Sequence, residues 1–104
     1  MEDIKKHIKI NVQGIDNVTD MFYQQKEKEA YLLLDDVLKD MMSLVEELMI
    51  CQKSEKNQTY DIEGLTVVLK EALSALERRD SILVADILKY EIKKKLEMMV
   101  ENEE

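Results

Sequence analysis

Proline is absent from this chain, and glycine occurs only as Gly14 and Gly64. Without those breakers the chain has little means of making the tight turns of an all-β fold. The lone cysteine, Cys51, rules out an intramolecular disulfide and fits a reducing cytoplasm. His7 is the only histidine. A di-iron bundle needs two Glu-x-x-His pairs and a structural zinc site needs four ligands, so both are excluded. Cys51 has no histidine base near it in sequence and reads as a small buried hydrophobe. No apolar run approaches the ~20 residues of a membrane span. Met1 to Lys9 mixes charges with isolated apolar residues, unlike a secretory signal. Excess positive charge is missing too. The formal net charge of −8 disfavours general affinity for phosphate backbones or anionic lipid.

What remains is helix-forming material. Apolar residues make up 45% of 104 positions, enough for one core, and the chain is too short for two. Leu, Met, Glu and Lys are abundant, and these lose little rotamer freedom in a helix. The expectation is an all-α domain.

Residues 8–14 depart from that pattern, because Ile8, Ile10 and Val12 alternate with polar residues at the period of a strand. Residues 1–14 are therefore expected as an N-terminal tail or a single strand, available for pairing with another chain. Asp16 is a plausible helix start, with Ile15, Val18 and Phe22 giving a short first helix to about Gln24. The second helix is strongly marked. Ala30, Leu34, Val37, Met41, Leu44, Leu48 and Cys51 step by 4, 3, 4, 3, 4 and 3, an unbroken heptad seam that Leu33, Leu38, Val45 and Met49 widen. The polar stretch from Gln52 to Gln58 ends it. Thr59 or Asp61 then caps a third helix carrying Ile62, Leu65, Leu69, Ala72 and Leu76, and Asp80 caps a fourth. The expected architecture is an antiparallel bundle of two helical hairpins, residues 15–53 and 61–101, with a loop at 52–60 and an acidic tail at 102–104.

The two hairpins repeat approximately at an offset of 51. Residues 15–50 laid over 66–101 pair Leu32 with Leu83, Asp35 with Asp86 and Glu46 with Glu97, and set apolar against apolar at Val18/Leu69, Val37/Leu88 and Met41/Ile92.

Little in the chain points to chemistry. All-α nucleotide pyrophosphohydrolases hold Mg²⁺ between Glu-x-x-Glu and Glu-x-x-Asp pairs on two helices. Here acids recur at a spacing of three only at Glu77/Asp80 and Glu101/Glu104, in an expected turn and the tail. Asp35 and Asp86 stand inside apolar segments, each four residues from a tyrosine, Tyr31 and Tyr90. That spacing suits a structural polar pair on the helix surface that fixes packing register. Lys89 to Lys95 is basic but interleaved with Glu91 and followed by Glu97, which reads as a solvated face.

Methionine is the conspicuous residue. Met41, Met42, Met49, Met98 and Met99 fall in the later halves of the second and fourth helices, which run in the same direction in an up-down bundle. Polarisable, flexible side chains of this kind suit surfaces that accept apolar helices.

The segment EALSALERRDSILVADILKYEI, Glu71 to Ile92, resembles small uncharacterised helical proteins of low-GC Gram-positive bacteria. It is also similar to the turn between tetratricopeptide helices, although the expected Trp and Gly-Tyr positions are missing and no third repeat exists. Neither resemblance implies an activity. The expectation is a non-enzymatic, cytoplasmic, bacterial interaction module: a scaffold, adaptor or chaperone-like protein with a protein partner or a second copy of itself. Ile8, Ile10, Val12, Met41, Met42, Leu48, Met49, Met98 and Met99 are its expected partner-binding residues. Its rationale is that a first helix of about ten residues cannot cover the second. No cofactor, metal, nucleic acid, membrane or small-molecule substrate is implied. The alternatives are a Mg-dependent all-α nucleotide hydrolase and a nucleic-acid-associated regulator.

Overall fold

The computed structural model describes residues 2–54 and 60–102. Four helices and no strand occur among them: α1 (Glu2–Tyr23), α2 (Glu27–Ser54), α3 (Ile62–Glu77) and α4 (residues 81–102). Within α4 a π-helical turn, Ile87–Ile92, separates the α-helical segments Ser81–Asp86 and Lys93–Asn102. Residues 55–59 of the expected loop, including Thr59, and residues 103–104 of the expected tail lie outside the described residues. Asp61 and Asp80 are helix caps as expected. Their carboxylates accept from the backbone N–H of Gly64 (2.9 Å) and Leu83 (3.1 Å).

The N-terminal segment is corrected. Residues 8–14 are neither strand nor tail but the middle of α1, a helix of 22 residues, and Asp16 lies inside it rather than at its start. The cause is one polar residue in an otherwise regular stripe. Ile4, Ile8, Asn11, Ile15, Val18 and Phe22 step by 4, 3, 4, 3 and 4, and all six are buried. Asn11 hides that heptad from an apolar count, leaving Ile8, Ile10 and Val12 to mimic a strand. In the helix Ile8 is 0% exposed and Ile10 is 53% exposed, so the two isoleucines have opposite fates.

Asn11 is 1% exposed. Its Nδ2 donates to the His7 carbonyl one turn back (3.0 Å), but its Oδ1 has no hydrogen-bond partner. An unmet buried acceptor costs about 1–3 kcal/mol, whereas an apolar replacement of similar shape leaves nothing unmet. Asn11→Leu is therefore expected to raise the unfolding free energy by about 1 kcal/mol, read from the midpoint of urea denaturation.

Both short turns are built the same way. After α1, Gln25 takes φ 63° and Arg79 takes φ 56° after α3, the left-handed conformation that closes helices. At the first turn the N–H of Lys26 donates to the Met21 carbonyl (2.9 Å) and that of Gln25 to Phe22 (3.0 Å). At the second, Asp80 donates to Ala75 (3.0 Å) and Arg79 to Leu76 (3.0 Å). These are two Schellman motifs, 54 residues apart. The structural repeat thus runs at 54 rather than 51, placing buried on buried at Ile8/Ile62, Ile15/Leu69, Val18/Ala72, Ala30/Val84 and Leu34/Leu88. Beyond the π turn, which inserts one residue, the match continues at 55 with Val37/Ile92, Met41/Leu96 and Leu44/Met99. The two offsets differ by 54 − 51 = 3 residues, close to the 3.6 of a helical turn. An amphipathic pattern slid by nearly one turn still sets apolar on apolar, which explains the alignment at 51. Asp35 and Asp86 are not equivalent positions.

Specific side-chain pairs tie the helices. His7 meets Glu47 (2.5 Å) near the start of α1 and the end of α2, while Phe22 stacks edge-on against Tyr31 (5.1 Å, 82°) at the opposite end. Asp16 accepts from Lys93 (2.7 Å), Tyr23 donates to Asp86 (2.5 Å), and Asp61 accepts from Lys95 (3.2 Å). α1 packs along α2 and along α4, α3 packs on α4, and α2 touches α3 only sparsely. Gly14 marks the close approach of α1 to α2, where an added Cβ would lie 3.3 Å from Val37 Cγ2.

Candidate functional site

At the thin boundary between α2 and α3 apolar residues are left partly uncovered, as Ile10, Ile82, Tyr90 and Met98 are elsewhere on the surface. The seam of α2 behaves as its spacing predicts: Ala30, Leu34, Val37, Met41, Leu44 and Leu48 are all buried, and Cys51 is half-buried. Beside that seam runs a second stripe, Tyr31, Leu38 and Val45 at steps of seven, all half-buried, with Met42 and Met49 about half exposed outside it. Two contacts place α3 on this flank. The backbone N–H of Tyr60 donates to Gln52 Oε1 (2.8 Å), and Leu76 meets Tyr31 across a cleft. That cleft, about 530 Å³, is lined by Lys28, Tyr31, Leu32, Leu76 and Arg79. Leu32 stands 70% exposed at its edge.

The expected partner-binding residues divide. Ile8, Met41, Leu48 and Met99 belong to the protein's own core, Val12 is half-buried, and Ile10, Met42, Met49 and Met98 are exposed. The rationale of a short first helix is corrected. α1 is 22 residues long and covers the main seam of α2, so on α2 the partly covered apolar surface lies on the flank turned toward α3 and at Leu32 and Ile50 of the outer face. Leu32, Ile50 and the α3 side of the cleft were not singled out by sequence. Leu32 and Ile50 lie on the outer face of α2, which only the phase of the buried stripe reveals.

The expected Asp–Tyr pairs do not form. Asp35 is exposed and pairs with Lys39 (3.0 Å), Tyr31 packs on Phe22, and Tyr90 is exposed with Lys89 near its ring (5.7 Å). Asp86 does bridge helices, but its partner is Tyr23 of α1, whose ring also lies 5.3 Å from Lys89. Burial, and then the hydrogen bond to Asp86, push the Tyr23 hydroxyl well above its ordinary range. A raised folded pKa means this contribution is complete below pH ~10, the unfolded value, and is lost as pH rises beyond it. Wild-type protein is therefore expected to lose thermal stability above pH 10 more steeply than Tyr23→Phe, in a melting series from pH 8 to pH 11.

A few of the remaining charges are used internally. The Asp16 hydrogen bond raises the Lys93 ammonium above its ordinary range. The Gly64 backbone N–H, and then the Lys95 ammonium, hold the Asp61 carboxyl below its own. Two cations of the basic cluster are thus committed to carboxylates of α1 and the α3 cap. Among the described residues no three His, Cys, Asp or Glu side chains gather as a metal site, and no helix is long and apolar enough to cross a membrane.

The chain belongs to the family described as Domain of unknown function (DUF8042), whose profile matches residues 1–102. No curated protein and no solved structure matches it.

Proposed function

We propose that this protein is a non-enzymatic interaction module, a bundle of two antiparallel helical hairpins whose α2–α3 boundary receives a partner helix or a second copy. The antiparallel reading is supported by His7 with Glu47 and Phe22 with Tyr31, which set α1 against α2, and by Asp16 with Lys93 and Tyr23 with Asp86, which set α1 against α4.

One observation carries the functional reading. Tyr31, Leu38, Met42, Val45 and Met49 form a continuous apolar flank on α2 against which α3 packs only sparsely. Isolated exposed apolar residues are ordinary, but a contiguous stripe beside an open boundary marks a helix-docking surface. Two methionines on its outer edge suit it to adaptable packing. The acidic balance keeps such a surface from promiscuous contact with nucleic acid, and two of the basic residues of α4, Lys93 and Lys95, are occupied by Asp16 and Asp61.

The test compares wild type with the double variant Met42→Glu, Met49→Glu. Both positions are half exposed, so stability is expected to change by no more than about 1 kcal/mol for the pair. Wild type is expected to melt at a temperature that rises with protein concentration, or to retain a discrete partner from cell extract, and the variant to lose that property. A wild-type protein that is monomeric at every concentration, retains nothing and binds no ANS contradicts the reading.

A further inference from the structure

We infer that the cleft at the turn end of the α2–α3 boundary takes an acidic peptide, its apolar side chain resting on Tyr31, Leu32 and Leu76 and its carboxylate lying between Lys28 and Arg79. The inference rests on the docking role above and gives it a place and a chemistry. The cleft volume, about 530 Å³, is in the range that seats a compact ligand group.

Charge complementarity selects the occupant. The chain carries 23 acidic and 15 basic residues, so a cation here has acids to spare. Lys93 and Lys95 find theirs across helix boundaries and Lys39 finds its own one turn back. Lys28 and Arg79, like most other cations of the described residues, form no ion pair, but these two line the cleft and no acid lines it with them. The acids of the same turns go elsewhere or stay apart. Glu27 accepts from Ser81 (2.8 Å), Asp80 caps α4, and Glu29 and Glu77 pair with neither cation.

Arg79 and Gln25 take the same left-handed turn position in the two Schellman motifs, and only the second of these turns carries a cation there. An arginine there sets a five-donor guanidinium at the mouth of an apolar cleft. Apolar floor and two uncommitted cations together ask for an apolar anchor with an adjacent carboxylate. The overall −8 charge works against any acidic partner, so the preference must come from this local pair.

Two synthetic amphipathic helices of ~18 residues, with leucines at i, i+3, i+4 and i+7 and either glutamates or lysines elsewhere, distinguish the cases. Each is titrated into the full chain and followed by fluorescence anisotropy and backbone amide shifts. The glutamate peptide is expected to bind roughly tenfold tighter, shifting Lys28, Leu32, Leu76 and Arg79, and the double variant Lys28→Glu, Arg79→Glu is expected to reverse the preference. Equal affinity for both peptides, or a preference for lysine as the net charge alone dictates, overturns the inference. Shifts confined to Met42 and Met49 overturn it while leaving the docking role standing. Binding of neither peptide overturns it as well, and the docking role then falls only if the Met42, Met49 comparison also shows nothing.

Discussion

Ile8→Ala is expected to lower the unfolding free energy by about 2–5 kcal/mol, while Ile10→Ala changes it by less than about 0.5 kcal/mol. The two residues are neighbours on one face if residues 8–14 are extended and lie on opposite sides if they are helical. In α1 Ile8 is fully buried and belongs to the main core, whereas Ile10 stands more than half exposed. Removing the Ile8 side chain leaves a cavity between packed helices, with its transfer and cavity terms both lost. For a chain near 100 residues each kcal/mol is worth about 4–8 °C in melting temperature, so the contrast is large on a simple thermal scan. If both substitutions are silent, residues 1–14 are a tail. If both are equally costly, the helix phase is wrong.

Phe22→Ala is expected to cost about 3–5 kcal/mol. Phe22 is the only phenylalanine and is almost fully buried where α1 ends. It stacks edge-on against Tyr31 at 5.1 Å, a geometry worth about 0.5–1.5 kcal/mol beyond area burial. It also lies in the Schellman turn, where its carbonyl accepts from Gln25. Small domains hold only about 5–15 kcal/mol in total, so a loss of this size is a large fraction of the native stability. Tyr31 forms part of the apolar flank, so the same substitution loosens the cleft wall. Tyr31→Phe keeps the ring contact and serves as the control, with stability unchanged within about 1 kcal/mol.

Much of the fold could be read from the sequence where local pattern and packing agree. From Ala30 to Leu48 every seam position of α2 is apolar, so a helix of the right phase is specified without tertiary information. Asp80 is similarly legible, because a carboxylate after a charged turn and before an apolar run is a cap by its chemistry alone. The first half of α1 was illegible for a single reason, since Asn11 occupies a core position that the pattern reserves for an apolar residue, while its second half was read from Ile15, Val18 and Phe22. The turns conceal themselves as well. Gln25 and Arg79 adopt left-handed backbone without glycine, and no residue type announces it.

The candidate surface was half legible. Methionine marks Met42 and Met49 as adaptable, but the same residue type fills the core at Met41 and Met99. Only the helix phase, fixed by long-range packing, separates them. The contribution of Leu76 and Arg79 could not be seen at all, because it depends on where α3 comes to rest beside α2. The π turn in α4 likewise shifts the phase of every later residue by one, and nothing in the sequence from Ile87 to Ile92 declares it.

Site-specific photo-cross-linking in the native cell most directly tests the docking surface, with the photoreactive residue placed at Met49 in one strain and at Ile10 in another. Both positions are about half exposed, but only Met49 lies on the flank of α2 that carries Tyr31, Leu38 and Val45. A discrete covalent adduct from position 49, to a second copy or to another protein, with none from position 10, is the expected result. No adduct from position 49, or the same adducts from both positions, would contradict it.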